Sequence, residues 1–148
     1  MLEVHDLDVF YGDAQALHGM AVRVDEGEVV TLVGANGAGK TTTLRAISGL
    51  QRVARGDIVF EGESIVGRPG HTRSELGISL VPEGRELWPS LTVLENLELG
   101  CYAKSSRQHR DSSLQWFSTC SPGCRSAPSR RPEACPAASS RWWRSRAP

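Results

Sequence analysis

The sequence lacks any apolar run approaching the ~20 residues that cross a bilayer, and its opening Met1-Leu2-Glu3-Val4-His5-Asp6 lacks the basic and apolar regions of a secretory leader. These absences point to a cytoplasmic, reducing setting. Neither charge is in excess, since Lys+Arg and Asp+Glu both number 17. Net charge therefore offers no argument for a nucleic-acid partner, and none is expected. Cysteine is missing from the first 100 residues, so no disulfide framework holds them. At 148 residues the chain is one domain long by the usual prior and too large for a miniprotein that needs metal or disulfide staples.

The charge balance is a cancellation. Residues 1–100 carry 8 basic and 15 acidic side chains, a net of −7, and residues 101–148 carry 9 and 2, a net of +7. Residues 1–100 also hold 14 of the 15 glycines. From Cys101 onward Leu114 is the lone Leu, Ile or Val, against 11 Ser, 5 Pro, 8 Arg and all four Cys, a composition that cannot build a packed core. The expectation is a folded region over 1–115 and a disordered tail over 116–148.

Punctuated apolar runs in the first part read as strands: Leu2–Phe10, Met20–Val24, Val29–Val33, Asp57–Phe60 and Ile78–Val81. Gly27, Gly56 and Gly62 mark turns. Leu44, Ile47 and Leu50 recur at helical spacing, with Gly49 placed as a C-cap. A second helix is expected from Thr92, because Thr92-Val93-Leu94-Glu95 has the spacing of a capping box, in which the hydroxyl and the carboxylate each satisfy the other residue's amide.

Chemistry concentrates in Gly34-Ala35-Asn36-Gly37-Ala38-Gly39-Lys40-Thr41, which fits G-x-x-x-x-G-K-[ST] between an apolar run and an expected helix. Glycines let successive backbone N–H groups converge on an anion, and the following helix adds the positive end of its dipole. Gly34, Asn36, Gly37, Ala38 and Gly39 supply that cradle. Lys40 is placed to neutralise the β- and γ-phosphates of a nucleotide, the Thr41 hydroxyl to ligate Mg²⁺, and Thr42 to add a hydroxyl to phosphate. A chance glycine-rich turn is the bland alternative, opposed by the agreement of motif, strand and helix in order.

Around this loop the sequence resembles the ATP-binding subunits of ABC transporters, and most closely those of branched-chain amino acid importers, over residues 1 to about 115. The resemblance rests on Leu2-Glu3-Val4 with Tyr11-Gly12, on the phosphate loop, on Thr41–Leu50 followed by Gly56-Asp57-Ile58, on Leu80-Val81-Pro82-Glu83-Gly84-Arg85, and on Leu87–Leu97. It implies an α/β fold, a P-loop NTPase core with an antiparallel β subdomain, incomplete here. It further implies ATP and Mg²⁺ as cofactors, with Tyr11 stacked on adenine; edge-strand packing explains that tyrosine equally well. Glu83 stands where most of the family has Gln, in contact with Mg²⁺ and the attacking water, so it is the catalytic candidate and, with Thr41, the metal candidate. The competing reading of Glu83 is an exposed loop charge.

Trp88 falls in the segment that in the family meets the membrane permease, as an exposed apolar anchor or as packing between subdomains. The implied partners are permease subunits and a second ATPase subunit, identical or not, and the implied location is peripheral, on the cytoplasmic face of the membrane. The function implied is coupling of ATP hydrolysis to amino acid import. A non-transport ABC-type ATPase or a regulatory nucleotide-binding module is the second reading.

The family's LSGGEQ signature, Walker B carboxylates and switch histidine do not occur in residues 116–148, so the chain as written is expected to be deficient in hydrolysis. Cys120, Cys124 and Cys135 near His109 make a poor zinc spacing, and the basic Trp142-Trp143 region shows no helical or alternating pattern. A third reading comes from the genetic code. Codons available for Ala134–Ala147, regrouped from the third base, spell LSGGEQQMVAIAR, and the single codons of Trp142 and Trp143 force the GTG between them. The same regrouping from Trp116 to Arg125 permits VFDLFPRLQ, similar to the family upstream of its signature. The tail is thus read as a frameshift product, equivalent to one lost or two gained nucleotides near Gln115–Phe117. Sequencing the gene across codons 112–148 is expected to return bases that encode the signature in the shifted frame; bases that cannot do so overturn the reading.

Overall fold

A computed structural model describes residues 1–84, 87–101 and 107–120. They fall in two compact units, Met1–Val81 and Pro82–Pro148, a division inside the 1–115 region expected as one domain.

The first unit is built on a four-stranded antiparallel sheet of β1 (Leu2–Tyr11), β2 (Ala14–Val24), β3 (Val53–Phe60) and β4 (Glu63–Ser64), in the order β2-β1-β3-β4. β1 and β2 form a hairpin in which Tyr11 pairs with Ala14 across Gly12-Asp13, and Gly12 takes φ +60° at the first central position, where an L-residue would be strained. Three of the expected runs, Leu2–Phe10, Met20–Val24 and Asp57–Phe60, lie inside these strands. Val4 faces the core, and by alternation Asp6 would follow it there; instead Leu7 and Val9 are buried. Asp6, at φ +45°, is the extra residue of a bulge that resets the phase, and the ladder shifts register between Val4 and Leu7.

Val4, Leu7, Val9, Leu17, Ile58, Ile65 and Ala46 form the core cluster. Full burial of such a Leu or Ile contributes about 1.5–3 kcal/mol. Ala46 comes from α1 (Lys40–Ile47), which ends as the sequence indicates. Gly49 at φ +78° donates to the Ala46 carbonyl (3.2 Å) and Leu50 to the Arg45 carbonyl (2.9 Å), the paired bonds of a Schellman stop. A short helix α2 (Gly70–Glu75) follows Pro69.

Two expected strands are not strands. Val29–Val33 and Ile78–Val81 have no ladder partner among the described residues, and Val29 and Val33 are each 91% exposed. Continuous apolar runs become strands when both faces are covered, as in a parallel sheet; here the described strands form one antiparallel sheet, and neither run joins it. The antiparallel β subdomain of the expected architecture is therefore present, together with the helix that follows the P-loop motif.

In the second unit, α3 (Val93–Leu99) begins at the capping box read from the sequence. The Glu95 amide donates to Thr92 Oγ1 (3.2 Å), and the Thr92 amide donates to Glu95 Oε2 (2.7 Å). The Thr92 amide first, and then the Thr92 hydroxyl, which also donates to Glu95 Oε2 (2.7 Å), hold the Glu95 carboxyl below its ordinary pKa. Asn96 fastens the preceding turn, accepting from the Trp88 amide (2.9 Å) while its Nδ2 donates to the Thr92 carbonyl (2.9 Å). α4 (Arg110–Cys120) runs across the expected boundary at residue 115, so Trp116–Cys120 are helical, not disordered; the remaining tail lies outside the described residues.

Gly56, at φ +94°, opposes the bulge so closely that a Cβ there would overlap the His5 and Asp6 carbonyl oxygens. Gly56→Ala is expected to cost at least about 1–3 kcal/mol, read as a lowered thermal midpoint of the sheet signal in circular dichroism.

Candidate functional site

The phosphate loop enters α1 through glycines that no other residue replaces. Gly37 and Gly39 take φ +87° and +85°, and Gly39 is the residue from which α1 starts. A Cβ on Gly39 would collide with Leu17 Cδ2 and lie 3.1 Å from the Ala16 carbonyl oxygen, so the loop is pressed against β2. Within the loop, Ala38 donates to the Ala35 carbonyl at 3.1 Å, and a Cβ on Gly34 would lie 3.1 Å from that of Ala38. Gly34, Asn36, Gly37 and Ala38 are exposed, as a surface meant for a soluble ligand requires.

The amides of Gly39, Lys40, Thr41 and Thr42 find no acceptor among the described residues. They are the unmet donors of a helix start, with the positive end of its dipole behind them. Lys40 Nζ donates to the carbonyls of Gly34 and Ala35, both at 2.7 Å, which tethers the ammonium over the loop. An ammonium has three hydrogens, so one remains for an outside acceptor. Thr41 is exposed on the first turn. Thr43, buried, turns its hydroxyl back onto the Gly39 carbonyl (3.0 Å) and locks the first turn.

Tyr11 at the end of β1 meets the same turn. Its phenol lies beside the Thr42 hydroxyl and the Arg45 guanidinium, which pull its pKa below the ordinary tyrosine value, Thr42 most, against the opposing effect of desolvation. Tyr11 and Thr42, expected separately at the base and at the phosphate, lie side by side, and Thr42 is buried rather than presented openly. Glu83 is exposed and belongs to the second unit, whereas every other candidate belongs to the first. Trp88 is 62% exposed.

A cleft of about 400 Å³ borders the loop, lined by Leu17, Met20, Leu32 and Val33 together with the polar side chains of His18, Lys40 and Thr43. Among the described residues no group of three or more His, Cys, Asp or Glu could hold a metal ion, and no helix is long and apolar enough to cross a membrane.

One residue of consequence was invisible in the sequence. Arg73 on α2 is 3% exposed, and its Nη1 donates to the carbonyls of Ala46 (2.7 Å) and Ile47 (2.9 Å) at the C-terminal end of α1. An arginine 26 residues from its acceptor carries no local pattern. Gly49, Gly70 and the glycine-permitted approach between them were the available hint.

Gly39→Ala is expected to lower stability by at least about 1–3 kcal/mol and to weaken nucleotide binding in the fraction that folds, read by thermal melting and ATP titration.

The family model described as ABC transporter matches residues 17–131. BraG of Pseudomonas aeruginosa, a high-affinity branched-chain amino acid transport ATP-binding protein, is 48% identical over 100 residues, 68% of this chain and 43% of that protein. The xylose/arabinose import ATP-binding protein XylG of Sulfolobus acidocaldarius is 37% identical over 99 residues, 67% of this chain and 39% of that one. The chain thus spans less than half the length of these two relatives. A solved structure of an ATP-binding subunit of an ABC transporter superposes with a TM-score of 0.70 at 27% identity, covering 90% of this chain and 55% of that one. Glycine geometry, a tethered lysine and a matched stretch of 115 residues agree: the chain belongs to the ABC transporter family, in its ATP-binding part.

Proposed function

We propose that the chain is the nucleotide-gripping part of an ABC importer's ATPase subunit, acting in branched-chain amino acid uptake. The observation that carries this is the start of α1, where unmet amides, a helix dipole and the Lys40 ammonium converge on one exposed spot. The 48% identity to BraG favours branched-chain amino acids over the sugars of XylG.

ATP is the ligand that suits this surface. The amides from Gly39 to Thr42 would receive its phosphates, Lys40 would turn its remaining hydrogen toward the terminal ones, and Tyr11 would offer a ring face to adenine. Thr42, beside Tyr11 on the first turn of α1, would join the base end of the site to its phosphate end. Mg²⁺, when bound, supplies charge neutralisation across the phosphates; Thr41 fits it with an exposed hydroxyl on the first turn, and Glu83 fits it as a carboxylate in the sequence position of the family's glutamine. In the assembled transporter the partners are a second ATPase subunit and membrane permeases, with Trp88 at the permease contact and the subunit peripheral to the cytoplasmic face.

Phosphoryl transfer also needs an oriented water and countercharge at the transferring group. These 148 residues carry neither LSGGEQ nor Walker B carboxylates in their own frame, so a polypeptide of this sequence binds nucleotide without useful turnover, and residues 116–148 are the out-of-frame reading of the signature region.

Titration of the purified chain with a fluorescent ATP analogue and Mg²⁺ tests the reading. Binding is expected, with Lys40→Ala about a hundredfold weaker for loss of its charged bonds to phosphate and no phosphate release in either. Equal affinity in the two overturns the site; ATP turnover at the rate of intact subunits overturns the deficiency.

A further inference from the structure

α1 has eight residues, about half of what an isolated helix needs to persist in water. Its ligand-facing end is fixed by Gly39 against β2. At the other end the Gly49 stop and the Gln51 bond to the Phe10 carbonyl are joined by one buried side chain. Arg73 reaches from α2 into the space beneath α1 and gives Nη1 to the Ala46 and Ile47 carbonyls, while its Nε donates to the Arg68 carbonyl at 2.9 Å. Glycine makes this approach possible, because a Cβ on Gly49 would stand 2.9 Å from Arg73 Nε and 3.0 Å from the Gly70 backbone.

Burying a guanidinium is costly, and this one has no carboxylate partner among the described residues. Among the described residues its charge is met by backbone carbonyls, two of them at the negative end of the α1 dipole. An aliphatic side chain of similar volume would fill the space without that desolvation cost. What the aliphatic group could not do is fix where the axis of α1 points.

We propose that Arg73 is a positioning residue of the nucleotide site, which holds the phosphate-loop helix from its far end so that the amides of Lys40 and Thr41 are aimed before ligand arrives. It touches no ligand and acts through α1. The proposal rests on the reading of the loop as an ATP site, and deepens it.

The test compares Arg73→Met and Arg73→Lys with Ile65→Val, a substitution of the shared core outside α1 that lowers stability modestly and leaves α1's hydrogen bonds in place. Two quantities are measured on the whole chain: backbone amide exchange over Thr43–Gly49 without nucleotide, and affinity for the fluorescent ATP analogue per folded molecule. In Arg73→Met the α1 amides are expected to exchange about tenfold faster than in Ile65→Val, and affinity to fall about tenfold. Arg73→Lys, which keeps the cation but donates from a single point, is expected between the two. If Arg73→Met matches Ile65→Val within twofold in either quantity, the proposal is overturned. If the unsubstituted chain fails to bind the analogue, the ATP reading fails instead, and the exchange comparison still decides whether Arg73 holds the helix.

Discussion

An eight-residue helix cannot stand alone in water, yet everything that makes the first unit chemically interesting depends on where that helix begins. Its unmet amides and its dipole have value for a polyphosphate only if they point to one place. The sequence solves this at both ends. Gly39 lets the loop lie flat on Leu17 of β2, and the paired stop at Gly49 brings the last turn under the reach of Arg73. Between them Ala46 is buried in the sheet core, and Thr43 secures the first turn. The cation above the loop and the cation below the helix face opposite ends of one dipole.

The sheet is the platform for this arrangement, and its own irregularities matter to the site. The bulge at Asp6 resets alternation so that Leu7 and Val9 join Val4 in the core, and leaves Tyr11 at the strand end nearest the first turn of α1. Gly56 accepts the bulge from the neighbouring strand. The aromatic end and the phosphate end of the site are thus linked through one strand and one helix that share a core, not through flexible loops.

Much of this was legible from short patterns whose physics is local. Thr92 with Glu95 announced α3 because a hydroxyl and a carboxylate three residues apart satisfy each other's amides, and both bonds are present. Gly49 announced the end of α1, and Gly37 and Gly39 announced the tight entry into it, because positive φ and close approach leave glycine little competition. The failures are equally instructive. Val29–Val33 carries the composition of a strand, but a strand is a relation to a neighbour, and composition does not say whether the neighbour is there. Leu44 sits at helical spacing yet faces outward, since Thr43 and Ala46 occupy the inner face of α1. Arg73 was illegible because its partners are carbonyls, which every residue has. The division at Val81 was hidden for a related reason, as no proline- or serine-rich linker accompanies it.

The unpaired run at Val29–Val33 has a bearing on the life of this polypeptide in a cell. Its amides find no backbone partner among the described residues, and its valines stand in solvent. An aliphatic stretch with free hydrogen-bonding edges is what holdase chaperones clasp and what proteases thread. It also sits between β2 and the loop, so a first cut there would sever the grip on phosphate from the platform that aims it. Turnover of the polypeptide would then begin at the very segment that leads into its binding chemistry.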